Sequence, residues 1–96
     1  MKQIENKITE ISQNENALRY ADLLKIIVNF PEEKGFSAAD LRMRIKIVDI
    51  LETEKEADVL NLEDAQFEYV KSLVKVFRWA MLHKDIVSFI DYIESV

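Results

Sequence analysis

The stretch Gly35-Phe36-Ser37-Ala38-Ala39-Asp40-Leu41-Arg42-Met43-Arg44-Ile45-Lys46-Ile47 decides what fold the chain should adopt. Its opening carries a helix start. Ser37 can accept from the free backbone N–H groups of a first turn, and Asp40, three residues on, can reach back to the cap. Phe36 and Leu41 have the spacing of a hydrophobic staple, and Gly35 supplies a turn without steric cost. At about 100° per residue, Leu41, Ile45 and Val48 share one face, while Met43, Ile47, Ile50 and Leu51 carry the apolar arc around the back. Only Arg42, Lys46 and Asp49 form a polar sector. A helix so apolar should be buried on several sides, which makes 37–53 the expected centre of the fold. Arg44 falls inside the apolar arc and is its oddest member.

Leu41 to Ile47 also alternates apolar and basic residues, as a half-buried strand does, and a strand would put Arg44 in solvent. The cap, the lack of a turn signal before Glu52 and the apolar run Val48, Ile50, Leu51 favour the helix.

Outward from this stretch, composition points the same way. Ninety-six residues make one domain, 1–96, and one Gly with one Pro leaves little room for a turn-rich β fold. The chain has no Cys, which excludes disulfides and thiolate metal sites and favours a reducing, cytoplasmic setting. No signal-peptide pattern is present, and the apolar runs are too short for a membrane span. The net charge is −5, unevenly spread. Asp49 to Glu68 holds eight carboxylates against Lys55 alone, whereas Tyr69 to Lys84 holds Lys71, Lys75, Arg78 and Lys84 with no acid. An acidic chain is a poor candidate for nucleic-acid binding.

The expected architecture is an all-α bundle of four or five helices, at about 2–12, 16–29, 37–53, 63–81 and 85–95, with minor short strand segments at most. Met1, Ile4, Ile8 and Ile11 form a narrow stripe at helical spacing. Ser12 to Asn16 is a polar break in which Asn14 or Asn16 can cap the next helix. Pro31 ends that helix, although 25–30 has a β-branched bias. Val59 to Leu62 reads as a packed loop or a very short strand. Phe67, Val70, Val74, Phe77 and Met81 give 63–81 the clearest periodicity, and His83-Lys84-Asp85 breaks it from the last helix.

Catalytic material is scarce. One Gly cannot build a nucleophile elbow or a phosphate loop, and His83, the single histidine, sits at a helix junction where a structural role is the plainer account. Asp49, Glu52 and Glu56 share a helix face that offers hard oxygens to a divalent cation, but nothing accompanies them, and a solvated acidic face explains them. No cofactor or metal is expected.

The residues singled out as a partner surface are Trp79, Lys71, Lys75, Arg78 and Arg44. The 63–81 helix aims Trp79 away from its apolar arc, among charged residues, as interface tryptophans often are, unless the final helix covers it. Lys71, Lys75 and Arg78 line one face, and Arg44 either pairs within its own fold or edges an interface. The expectation is a non-enzymatic protein–protein interaction module, a regulatory or assembly accessory protein, and a candidate homodimer. A small nucleic-acid-binding regulator using the Lys71/Lys75/Arg78 stripe is the alternative. In composition alone, with no motif, the chain resembles accessory proteins of phages and prophages.

Overall fold

The computed structural model describes all residues, 1–96. Its elements are β1 (Lys2–Glu5), β2 (Ile8–Gln13), β3 (Asn16–Arg19), α1 (Tyr20–Asn29), α2 (Ala38–Thr53), β4 (Val59–Leu62), α3 (Asp64–Val76) and α4 (Lys84–Ser95). The fold is α+β, with four helices and two antiparallel two-stranded sheets, β1–β4 and β2–β3. This overturns the expected all-α helical bundle.

The N-terminal third accounts for most of the difference. Residues 2–12 form strands rather than a helix, and burial shows why. Ile4 is fully buried while Ile8, four residues on, is 56 % exposed, so the two do not share a face. Along β2 the inward positions are Thr9 and Ile11, at the period of two that a strand imposes. Helical spacing of the isoleucines is coincidental; the partner strand β4, its paired residues 54 to 60 positions further along the chain, decides.

Asn14 and Glu15 join β2 to β3 as a two-residue turn, with φ of 52° and 68°. Two positive φ values are the mark of the hairpin turn whose twist matches its strands. The polar break at Ser12 to Asn16 is therefore a hairpin tip, not a helix cap, and the second helix begins at Tyr20 instead of 16. Register slips between Ile8 and Ser12, and the Thr9 hydroxyl fills the irregularity: it donates to the Leu18 carbonyl at 2.7 Å and accepts from the Ile11 N–H at 3.2 Å.

α1 is the most buried helix: Tyr20, Ala21, Leu23, Leu24, Ile27 and Val28 all lie inside. It starts where the Asp22 carboxylate accepts the Arg19 backbone N–H at 2.8 Å and stops before Pro31, with Phe30 extended. α2 begins as its sequence indicates, the Ser37 hydroxyl accepting from the Asp40 N–H at 3.1 Å. It is not the buried centre, however. It buries only Arg44, Ile47 and Leu51, and leaves Leu41 and Ile45 in solvent.

α3 opens at Glu63, whose N–H donates to the Gln66 side chain, and ends at Val76 rather than at 81. No Gly or Pro marks that end. Phe77 turns extended there, its ring meeting Phe30 just past α1, and Trp79 meets Phe89 on α4. α4 is capped by His83, whose Nδ1 accepts from the Asp85 N–H at 3.0 Å. The four helices and both sheets meet in one apolar cluster around Phe67, Phe89, Leu23, Leu60 and Ile93. No helix is long and apolar enough to cross a membrane.

Candidate functional site

Pro31 shapes the site. It forces Phe30 out of helical dihedrals, and the Phe30 ring, 54 % exposed, stands edge-on to Phe77 at 5.2 Å between centroids. Across from Phe30 the last turn of α3 supplies Leu73 and Val76, the latter 73 % exposed. Between these walls lies a cleft of about 460 Å³, floored by Ile27 and Phe77 and open to solvent along one side. Its polar rim is Glu32 and Glu33 on one lip and Arg78 on the other.

Behind the cleft the aromatic contacts continue. Phe77 meets Trp79 at 4.8 Å, Trp79 meets Phe89 at 6.1 Å, Phe89 meets Tyr20 at 5.0 Å, and Tyr20 meets Tyr92 at 5.8 Å. Several of these pairs are edge-on, the geometry the ring quadrupoles favour. Trp79 is thus half-buried in the chain of rings, with α4 across it, rather than a free-standing surface anchor. Its indole N–H is shielded and donates to nothing.

Arg44 lies beside the same loop. It is 7 % exposed, and its guanidinium reaches the Glu32 carboxylate at 2.8 Å, the Val28 carbonyl at 3.0 Å and the Tyr69 hydroxyl at 3.0 Å. It also stacks over Phe36, 4.7 Å from the ring centroid. Of the two roles weighed for it, the geometry is that of an internal pair. It fixes the 30–36 loop against α2 and α3 and so sets one lip of the cleft. Burial raises the Tyr69 pKa above 10.0, against the opposing hydrogen bond from Arg44. Burial, then the nearby Asp85 and Glu5 carboxylates, raise that of Tyr20.

The basic stripe is divided. Lys71 and Lys75 are on α3 but outside the cleft lining, and Arg78 has left the helix to stand on the cleft rim. None of the three forms an ion pair. The Asp49, Glu52 and Glu56 carboxylates do not gather either: Lys25 holds Glu52 and lowers its pKa, chiefly by hydrogen bonding, and no cluster of His, Asp and Glu side chains could hold a metal ion.

The structure therefore joins Arg78 to the cleft directly and Trp79 through Phe77, and leaves Lys71 and Lys75 apart. The cleft residues that sequence inspection missed are Phe30 and Val76. An aromatic directly before Pro31 was a signal for the first; nothing in the sequence marks the second. No family model matches the chain, nor does any curated protein or solved structure compared with it.

Proposed function

We propose that the protein is a non-enzymatic interaction module that receives a short apolar segment of another protein in the cleft between Phe30 and Val76. The observation that carries this reading is the pair of large apolar side chains left exposed at the mouth of an apolar cleft. Small-molecule sites enclose most of their ligand, and this cleft is too open for that, whereas a peptide covers the mouth as it fills the floor. Arg78 carries no internal partner, while on the facing lip Arg44 holds Glu32 and Glu33 stays unpaired, so the segment should bring a carboxylate beside its apolar anchor at the Arg78 side, away from Glu33. A cysteine-free chain suits a reducing compartment, and we place the protein in the cytoplasm.

The test is a displayed random-peptide library selected on the intact protein. Enriched peptides should share an apolar side chain next to an acid, should perturb Trp79 fluorescence through Phe77, and should lose binding to Val76→Lys and Arg78→Glu. No enrichment, or binding indifferent to both substitutions, would defeat the proposal. Salt-sensitive retention on DNA or RNA, abolished by Lys71→Glu with Lys75→Glu and untouched by Val76→Lys, would instead establish the nucleic-acid reading.

A further inference from the structure

The outer face of α2 carries a second apolar surface, separate from the cleft. Leu41 and Ile45 are 44 % and 58 % exposed, and Val48 continues them on the same side of the helix. With Phe36 and Val28 they surround a shallow depression of about 160 Å³. Spacings of four and three keep Leu41, Ile45 and Val48 in register along about 10 Å of helix. This row is bordered by exposed Arg42 and Asp49, neither of which has an ion-pair partner.

We infer that this face binds a second copy of the same chain, α2 against α2, antiparallel, with the two-fold axis at Ile45. The charge pattern selects this occupant. A symmetric pair requires a self-complementary patch, in which a residue on one side of the axis meets a different one on the other. Leu41 and Val48 lie four and three residues either side of Ile45, so each stands over the other across the axis while Ile45 meets itself. Arg42 and Asp49 lie three and four residues either side on the same flank, so each Arg42 faces an Asp49, twice. A parallel pairing would exchange the two flanks and set Arg42 and Asp49 against the partner's apolar Leu41 and Val48, and the antiparallel order also opposes the helix dipoles. A patch of one helix face is small, so association belongs to the weak, transient class of interfaces. The cleft is uninvolved, and a dimer would carry two.

Sedimentation velocity over a wide concentration range tests the inference on the intact chain. Wild type and Val76→Lys should both show a reversible monomer–dimer equilibrium, so failure of the cleft proposal leaves this one standing, and the reverse. Ile45→Glu, at a solvent-exposed position, should abolish it. Arg42→Glu and Asp49→Lys should each weaken it by about tenfold or more, because two opposite-charge contacts become two repulsions. The double variant, Arg42→Glu with Asp49→Lys, should restore association. A monomer at every concentration, a dimer indifferent to Ile45→Glu, or a double variant no better than the singles would overturn it.

Discussion

The carboxamide oxygen of Asn6 accepts the Ala21 backbone N–H at 2.9 Å, at the first turn of α1. The same side chain donates to the Lys55 and Ala57 carbonyls at 2.9 and 2.8 Å. One residue, 3 % exposed, thereby ties the end of β1, the start of α1 and the turn before β4. Asn6→Asp keeps the shape but turns a carboxylate oxygen toward two carbonyls, and should cost about 3 kcal/mol, more than Asn6→Ala at about 2. Urea melts of both variants check the order; Asn6→Asp as stable as wild type would refute the role.

Ile4 lies on β1 and Ile8 opens β2, so the two should respond differently to truncation. Ile4→Ala should remove about 2–4 kcal/mol, the range for an aliphatic side chain lost from a packed core. Ile8→Ala should change stability by less than about 1 kcal/mol. In a helix the two would behave alike, so equal losses in thermal denaturation would speak against the sheet.

Glu15 sits at φ 68°, where a side chain is strained. Glu15→Gly relieves that strain and creates the Asn-Gly pair that this turn prefers, so it should stabilise the protein by about 1 kcal/mol. A lower melting temperature for this variant would mean that the turn is not of this type.

Arg44 is buried and its partner Glu32 is half exposed, so the two ends of the pair should respond differently. Arg44→Ala leaves the Val28 carbonyl and Tyr69 hydroxyl without their donor and should cost about 2–3 kcal/mol; Glu32→Gln, screened by water, should cost under about 1. Arg44→Lys cannot reproduce three directed contacts and should fall nearer to alanine than to wild type. Chemical denaturation gives all three values.

Tyr20 and Tyr69 both have pKa values raised above 10.0, so the fold favours their neutral phenols. The associated stability is fully present below pH 10.0 and is lost as the pH climbs through the higher folded values. Stability should hold from pH 8 toward 10 and then fall, and Tyr20→Phe should flatten the fall. An unchanged alkaline profile in that variant would assign the effect elsewhere.

The helical half of the fold was legible because its signals are local. Ser37 with Asp40, Pro31 after Phe30, and the acids at Glu63 and Asp64 each set a boundary through neighbours within a turn. Of the strands only β4 was half legible, as one of two readings of Val59 to Leu62; the other three were not, because each needs a partner or a turn that local pattern does not disclose. Asn14-Glu15 lacks the glycine that announces a hairpin, and β1 answers to β4 across the chain. The end of α3 was hidden for a third reason: Phe77 and Trp79 leave the helix to meet Phe30, just past α1, and Phe89 on α4, which periodicity along 63–81 cannot show. At the site, Arg78 was found and Val76 was not, since an exposed valine is unremarkable until the facing Phe30 makes it a wall.

The pairing of Lys2–Glu5 with Val59–Leu62 also sets an order of events on the ribosome. At a synthesis rate of roughly 5–20 residues per second, β1 waits several seconds before its complementary strand has even been made. The β2–β3 hairpin and α1 are complete long before then, and the Tyr92 hydroxyl that receives the Glu5 N–H at 2.9 Å arrives later still. During that interval Ile4 lacks Leu60, its partner across the sheet. The nascent chain therefore passes through a state with an apolar strand unmatched, and its vulnerability to chaperones, proteases and its own neighbours is concentrated there.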